Sequence, residues 1–476
     1  MHSTFGSLEI GRKALQAQQR ALDVTGHNIA NANTQGYSRQ VVSLETTTPY
    51  TQPSLGKANS AGQIGTGVQV DAIIRQRDSF LDAQYRAEMK SLGRWEVRRA
   101  AMEEIEVILN ELSGYSLGAT VEAFREAVQR LSYYPESEDV RTLVIQTAVT
   151  VTDTFNHLDR QLADLQMNVD EAVTQQVSQA NDMIERLYDL NKQIIAARAA
   201  GDNPNDLNDK RDLLLDDLPK IINIQVQEDP KTGGAQVTIG GKRVVHTYGM
   251  AQMAVSGGYP NKVVWADNGA EVTFGGLIKD GSLKGYQEVR DEVIGHYRSE
   301  LDALAKQFAA EFNAIHVAGF DLDGNAGIEF FTYTGDELTA ETIQVNQAVI
   351  TDNRLIAAAA SPDGGGGNAL TLSRWLQGLD DNGQPDEDPL VVNDYMRQMV
   401  ARLGIEGEQA QRMVENQDAL LMLIENQRSS VSGVDIDEEM TNMIRYQHAY
   451  NAAARLVTAI DEMLSTIING LGLVGR

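Results

Sequence analysis

The feature that most constrains this chain is a line of apolar residues, one in every seven, near each of its two ends. Such a repeat predicts a helix with one apolar stripe, which is the seam that a coiled coil buries. An isolated amphipathic helix of this size is marginal in water, so each end needs a partner, either the other end or a copy of it. We expect the assembly interface to comprise Leu8, Leu15, Leu22 and Ile29 in the first stretch and Ile436, Met440, Met443, Tyr450, Ala454, Val457, Leu464, Ile468 and Leu471 in the last.

Charge and composition argue against several classes of function. Among 476 residues, 40 basic and 67 acidic side chains give a net charge of −27, which disfavours nucleic acid as a partner and would repel an anionic membrane surface. The chain has no cysteine and therefore neither a disulfide nor a thiolate metal site. No apolar run reaches the length of a membrane span, and Met1–Ile10 lacks the basic start of a cleaved signal peptide. We therefore expect no nucleic-acid partner, no membrane insertion and no cleaved signal peptide.

The placement of proline permits long helices. None of the ten prolines precedes Pro49 or follows Pro389, so helix breakers are absent from both ends. A helix is predicted over 75–112, with Phe80 on its apolar side. After Pro135, apolar residues over 144–194 recur at spacings of three and four, with a shift of phase after position 169. We predict one helix of roughly sixty residues there, with a stutter that locally unwinds a supercoil.

Short strands are predicted after position 219. Apolar and polar residues alternate over 222–227, which is the period of a half-exposed strand, and glycine pairs separate the short apolar runs that follow. Glycine pairs at such spacing predict hairpin turns in a small antiparallel domain. Helical periodicity returns over 283–315 and 391–427, with a smaller β-containing stretch over 320–356 between them.

Together these patterns predict a mainly α fold with a β insertion, in an elongated, multi-domain chain. We expect residues 1–45 and 435–476 to form a discontinuous coiled-coil domain made of the terminal helices. Residues 46–218 and 282–434 are predicted to form a long-helix bundle with small β elements, and 219–281 a small antiparallel β domain.

Residue patterns that would indicate catalysis are absent. The seven histidines are scattered, and the zinc, phosphate-loop and nucleophile-elbow motifs do not occur. The run from Asp321 starts like a calcium loop, but Ala326 and Thr332 occupy the positions where glycine and a bidentate glutamate are required, so a tight turn is predicted instead. Four carboxylates at helical spacing are predicted to be a solvated helix face: Asp206, Asp209, Asp212 and Asp216. We expect no catalytic residues, no metal and no cofactor.

The string over 28–40 carries a family resemblance. Its asparagines, followed by glycine, are typical of a helix C-terminus, which explains the residue types but not the whole string. Read as a string, it resembles the signature of the flagellar axial proteins, the family of rod, hook and hook-filament junction subunits, and Val431–Met440 resembles the closing motif of the junction members. The signature residues are Asn28, Asn31, Asn33, Gly36, Tyr37, Ser38, Arg39 and Gln40.

This resemblance implies a structural subunit of the bacterial flagellum. It implies ends that are mobile in the free subunit and become the innermost coiled-coil layer on assembly, in a ring of about eleven copies between hook and filament. It also implies export through the flagellar type III apparatus to an extracellular position, with a chaperone on the C-terminal helix beforehand. Expected partners are other copies of the chain, the hook protein and the second junction protein, and the β domain would face outward.

Three alternatives remain open from the sequence. Within the family, the chain could be a hook or rod subunit, although the Ser38–Gln40 ending and the long helices disfavour this. A cytosolic coiled-coil scaffold would explain the terminal stripes but not the 28–40 string. A surface-exposed enzyme or adhesin could occupy 219–281, and the missing metal and nucleophile motifs weigh against the enzyme.

Overall fold

The structure is a computed structural model, and it describes residues 4–49, 65–109, 116–272, 278–380, 382–385 and 391–471. It is mainly helical with small antiparallel sheets, which confirms the predicted fold class. The helices are α1 (Thr4–Asn31), α2 (Ser79–Leu109), α3 (Leu117–Tyr133), α4 (Glu138–Ala199), α5 (Asn205–Ile221), α6 (Ser282–Glu288), α7 (Ile294–Ala318), α8 (Gln347–Thr351), α9 (Gly367–Trp375), α10 (Val392–Ser432) and α11 (Ile436–Leu471). The strands are β1 (Gln40–Thr46), β2 (Val68–Arg75), β3 (Ile224–Glu228), β4 (Ala235–Ile239), β5 (Lys242–His246), β6 (Gly249–Met250), β7 (Met253–Val255), β8 (Val263–Trp265), β9 (Phe331–Tyr333) and β10 (Ile343–Val345).

Helix α4 is the long helix predicted after Pro135, and it has 62 residues. Its start is set by Ser137, whose hydroxyl accepts a hydrogen bond from the Val140 amide, and two acidic residues follow in the first turn. The predicted apolar side of this helix is buried from Val144 to Ile194. The period of the apolar residues was therefore sufficient to place this element.

Two large apolar clusters divide the body of the protein, and the predicted stutter in α4 lies at their boundary. Val169 is the last residue of α4 in the first cluster, which also takes in α3 and α7. Val173 is the first in the second cluster, which α4 shares with α5 and the strands β3, β4, β5, β7 and β8. At the boundary Asp170 forms an ion pair with Arg290, which a π-helical turn over Val289–Val293 places there. The phase shift thus lets one helix serve two cores.

The β insertion consists of short antiparallel hairpins, as predicted. Strands β3, β4, β5 and β6 form one sheet in that order, and β7 pairs with β8. Gly240 and Gly241, with φ of 56° and 85°, make the two-residue turn between β4 and β5. The strand predicted at 271–274 is described only in part, where Glu271 bridges to Val264, because 273–277 lie outside the described residues. The smaller β stretch is the β9–β10 hairpin.

Two local predictions can be compared with the structure, and one pair of strands was not predicted. The helix expected from position 75 begins at Ser79, because Arg75 ends strand β2, and Phe80 is 66% exposed instead of lying on an apolar side. The paired strands β1 and β2 were not predicted. Around Asp321 the chain makes a tight turn, because this carboxylate accepts hydrogen bonds from the Asp323 and Asn325 amides and Gly324 has φ of 81°.

Candidate assembly site at the terminal helices

Helices α1 and α11, called here the terminal pair, pack against each other in an antiparallel arrangement. Near one end of the pair, a Cβ built on Gly11 would lie 2.7 Å from Cγ2 of Val457, so the helices approach closely there. At the other end, Asn28 contacts Glu439. Small residues allow the approach, since Ala17 and Ala21 of α1 are buried, as is Ala453 of α11. The resemblance implied ends that are mobile in the free subunit, whereas here the two ends of a single chain pair with each other.

The residues predicted for the assembly interface occupy two kinds of position. Leu8, Leu15, Leu22, Ile29, Met443, Tyr450, Ala454, Val457 and Leu464 are half-buried. Ile436, Met440 and Ile468 are exposed, the last two by 52% and 70%. The side chain of Leu471 lies outside the described residues.

The seam that α11 presents to α1 differs in one respect from the predicted stripe. Its most buried line is Glu439, Ala453 and Ile460, with the half-buried Tyr446 between the first two, again one residue in seven. This line lies one position away from the predicted line of Met440, Ala454 and Ile468. The reason is that Glu439 occupies a position in the seam. A search for apolar periodicity does not count a carboxylate as a buried residue.

Glu439 can be buried because the 28–40 string supplies its partners. The Asn28 amide nitrogen donates to Glu439 Oε2 at 3.2 Å and to the Gln40 carbonyl at 2.9 Å. The Asn28 oxygen accepts from the Tyr37 hydroxyl at 2.7 Å and from the Gln40 amide at 3.0 Å. Asn28, Tyr37, Arg39, Gln40 and Glu439 are called the Asn28 network, and they tie the end of α1, the start of β1 and the first turn of α11 together.

Arg39 supplies the positive charge of the Asn28 network. Its Nε donates to Glu439 Oε1 at 2.8 Å, and its two terminal nitrogens donate to Glu438 at 2.7 and 3.1 Å. Glu439 is 3% exposed in its side chain, and removing one partner from such a buried pair typically costs about 3–5 kcal/mol. Burial raises the pKa of the Tyr37 phenol, and the nearby carboxylates of Asp206, Asp209 and Glu439 add to the rise. Tyr37 therefore stays a neutral donor.

The remaining signature residues shape the turn after α1. Gly36 has φ of 76°, which agrees with the left-handed helix end expected from the string. The Asn31 amide donates to the His27 carbonyl at 3.0 Å, and its oxygen accepts from the Thr34 hydroxyl. The Ser38 amide donates to Asp209 Oδ2 at 3.1 Å, while Asn33 is exposed. Most of the string therefore has a structural role at one junction.

The start of α11 is capped by Asp435. Asp435 Oδ1 accepts hydrogen bonds from the amides of Asp437 and Glu438 at 2.9 and 3.3 Å, as a helix cap should. The Glu438 side chain, three residues after the cap, binds Arg39. The break at Ser432–Gly433 separates α10 from α11, and the Ser432 carbonyl accepts from the Arg39 amide at 2.9 Å.

The prediction of a solvated acidic face on α5 is wrong. Only Asp206 is exposed, whereas the α5 acidic face, defined as Asp209, Asp212 and Asp216, is buried. These carboxylates are paired with arginines of distant segments, at distances from 2.6 to 3.7 Å: Arg75 with Asp209 and Asp212, Arg77 with Asp212 and Asp216, and Arg86 and Arg428 with Asp216.

Electrostatics at the α5 acidic face favour the charged state. Burial alone would raise the pKa of Asp212, but the guanidinium groups of Arg75 and Arg77 outweigh it, and the pKa is lowered. Helix α5 is joined directly to the Asn28 network, because the Gln40 side chain donates to Asp206 and accepts from Asn205, at 2.9 and 3.1 Å. A continuous polar junction therefore connects the terminal pair with α5, α2 and α10. The sequence contains both sets of charged residues, Arg75-x-Arg77 and the regularly spaced carboxylates of α5. Nothing in the sequence indicates that these arginines and carboxylates form ion pairs with each other.

Within the described ranges, no group of three or more His, Asp or Glu side chains could hold a metal ion. Likewise, no helix in the part of the chain that the structure describes is both long and apolar enough to cross a bilayer. The polar junction presents paired charges and satisfied hydrogen bonds, which is an arrangement that holds elements in a fixed geometry.

Comparisons with known proteins match this division between ends and body. The family profile described as the flagellar hook-associated protein FlgK helical domain matches residues 102–331. Profiles for the flagella basal body rod protein and for the C-terminal part of flagellar basal body rod FlgEFG proteins match residues 8–37 and 423–470. The ends thus resemble those of rod proteins, and the body resembles hook-associated proteins.

Individual relatives carry the same name. Flagellar hook-associated protein 1 of Bacillus subtilis is 35% identical over a 519-position alignment that covers all of both chains. The proteins of the same name from Salmonella typhimurium and Escherichia coli are each 26% identical and cover 96% of this chain and 98% of their own. A solved structure, the flagellar hook junction protein FlgK from Burkholderia pseudomallei, superposes with a TM-score of 0.46 at 23% identity, over 52% of this chain and 46% of that one.

These relatives are named as flagellar hook-associated proteins and not as enzymes, and one of them aligns along its whole length at 35% identity. The chain therefore belongs to the flagellar hook-associated protein 1 family and is a structural component of the bacterial flagellum.

Proposed function

We propose that this protein joins hook to filament as a ring of subunits, and that the ring is assembled through the terminal pair. The single observation that carries the proposal is the apolar surface that this pair leaves uncovered in one chain. Met440, Ile444, Met463 and Ile468 of α11 are all more than half exposed. Exposed apolar residues grouped on one element mark an interaction surface, and contacts that do not close on themselves extend around an axis as a ring or tube.

The separation of the terminal pair from the body supports the same proposal. Among the described residues, neither large apolar cluster includes a residue of α1 or α11. Rearrangement of the pair during assembly would therefore leave both cores intact. We propose that 1–45 and 435–476 are the assembly domain, that 46–218 and 282–434 are the rod domain, and that 219–281 face outward.

The same proposal includes the export of the subunit to the junction between hook and filament. The subunit would leave the cell through the flagellar type III apparatus, with an export chaperone covering the C-terminal helix until assembly. Its partners would be about ten further copies of itself, arranged around a common axis, with the hook protein on one side and the second junction protein on the other. A hook or rod subunit is the second candidate, and the matches of both ends to rod-protein profiles favour it. The match of 102–331 to the hook-associated helical domain favours the first.

Met440→Asp tests the proposed assembly surface. Met440 is exposed in the single chain, so the substitution should leave the melting temperature and the secretion of the subunit unchanged. In the assembled ring the new carboxylate would be buried, and this should strongly reduce incorporation. The measurement compares the chain secreted into the medium with the chain found in purified hook-filament junctions. Met167→Asp is a matched control, because Met167 on α4 is also 52% exposed but belongs to the body. Normal incorporation of Met440→Asp would exclude α11 as the assembly surface.

A further inference from the structure

A groove of about 700 Å³ runs along α1 beside strand β2 and carries positive charge. Its charged lining consists of Arg12, Lys13 and Arg20, with Asp23 as its acidic member. The apolar part of the lining is Ala17 together with Val68 and Val70 of β2. A basic groove on a chain of net charge −27 is a local exception that indicates a specific acidic occupant.

The positive charge of the groove is compensated only in part within the chain. Arg12 forms an ion pair with Glu9, one turn earlier on the same helix. The Lys13 ammonium donates to the Thr66 carbonyl at 3.4 Å and also interacts electrostatically with Glu9. Across the described ranges, Arg20 has no ion pair and no side-chain hydrogen bond. Three cations against Asp23 and the Glu9 carboxylate leave the groove with a net positive charge, and Arg20 is the cation that is available to an incoming acidic group.

A complementary pair of acidic residues lies on α11. Asp461 and Glu462 are exposed, and within the described part of the chain neither has an ion pair. They cannot reach Arg20 of their own chain, because α1 and α11 are antiparallel with Gly11 level with Val457. At 1.5 Å per residue, this arrangement separates Glu462 from Arg20 by about 20 Å along the pair.

We propose that the groove of one copy receives the Asp461–Glu462 turn of α11 from a second copy. An axial offset of about 20 Å between two copies brings Glu462 level with Arg20, and this offset is a head-to-tail relation of the kind that continues an assembly. Met463, which is exposed next to the acidic pair, then has Val68 and Val70 as apolar partners. This assignment rests on the proposed function and names the contact between neighbouring subunits.

A charge exchange in the full-length chain tests the contact. Arg20→Glu and Glu462→Arg are each expected to lower incorporation into hook-filament junctions roughly tenfold, since like charges then face each other across the contact. Melting and secretion of both variants should match the unmodified chain, because both residues lie on the surface. The double variant restores opposite charges and should recover at least half of the normal incorporation. Arg397→Glu is the control, since Arg397 is an exposed cation on α10, outside the terminal pair.

The outcomes separate the contact from the proposed function. Normal incorporation of either single variant, or a double variant as poor as the singles, would overturn the assignment of the groove. If Met440→Asp still blocks incorporation in that case, assembly through α11 stands and only the groove contact fails. If the single variants fail and the double variant recovers incorporation, residues 20 and 462 of different copies must be in contact, because within one chain they are too far apart.

Discussion

At the scale of single residues, Asn28 has a chemically demanding position. Its side chain uses two donor contacts and two acceptor contacts to groups from the turn after α1, from β1 and from α11. Among short side chains, only an amide offers two donor hydrogens together with an oxygen that accepts two hydrogen bonds, and aspartate would present acceptors alone. The Asn28 side-chain nitrogen is indispensable as a donor, because the neighbouring Glu439 carboxylate is buried and needs a hydrogen bond.

Asn28→Asp is predicted to open the terminal pair without unfolding the body. The change removes two hydrogen bonds and places a second carboxylate beside Glu439, with an expected cost of about 3 kcal/mol. Because the large clusters contain no residue of α1 or α11 among those described, the cost should fall on the pair. The measurement is the free energy of opening of α11 amides by hydrogen exchange in the full-length chain.

Asn33→Asp is the matched control for this prediction. Asn33 lies in the same string and is exposed, so the identical substitution should change the opening of α11 by less than about 0.5 kcal/mol. Equal effects at positions 28 and 33 would contradict a specific role for the buried amide.

His316 packs against Phe312 and Phe330 of the first cluster and makes the stability of the body depend on pH. Its Nδ1 donates to the Ile328 carbonyl at 2.7 Å, and its Nε2 accepts from the Ala357 amide at 2.9 Å, so both ring nitrogens are used by the neutral form. Burial lowers the pKa of His316 from 6.5 to about 4. A folded-state pKa below the unfolded value means that this stability is complete above pH 6.5 and is lost as the pH falls towards 4. The full loss is about 3 kcal/mol.

The His316→Gln variant isolates this contribution from that of other titrating groups. Glutamine cannot titrate, so the free energy of unfolding of the variant should fall less between pH 7 and pH 4.5 than that of the unmodified chain. Urea unfolding at a series of pH values measures the difference. The same substitution at the half-exposed His296 serves as the control, and identical pH profiles for all three chains would contradict the role of the buried ring.

At the scale of elements, a helix or turn can be predicted from the sequence when the residues that determine it are close together in the chain. The boundaries and apolar face of α4 were predictable because a period of three and four, a preceding proline and a serine cap are all local. The β4–β5 turn was predictable for the same reason, since two adjacent glycines determine it.

The elements that sequence reasoning missed depend on distant partners. Asp209 and Asp212 of α5 resemble a solvated face until Arg75, more than 130 residues earlier, is placed beside them. The seam of α11 was misplaced by one position because Glu439 is buried through contacts with residues near the opposite end of the chain. Polar residues count as exposed in any periodicity argument, so buried ion pairs are a systematic source of error.

At the scale of the whole molecule, the chain is organised as a body with two cores and a terminal pair joined to it by polar contacts. Apolar packing stabilises the body, since α4 runs through both clusters. Hydrogen bonds from the segment after α1 hold the pair to α5 of the body: Ser38 donates to Asp209, and Gln40 binds Asp206 and Asn205. Directional contacts fix a geometry, and they can exchange partners more readily than an interdigitated core.

The last prediction concerns how this organisation responds to local opening. Amides of α1 and α11 are expected to exchange together, and at a lower free energy than those of α4 and α7, because the pair buries small residues outside both cores. Hydrogen exchange on the full-length chain measures this order directly. In a chain lacking residues 1–37, α11 loses its partner and should exchange at nearly the unfolded rate, while α4 keeps its protection. Retained protection of α11 after this deletion would mean that it is held by the body and not by α1, and pairing of the chain ends could then not be the step that assembly controls.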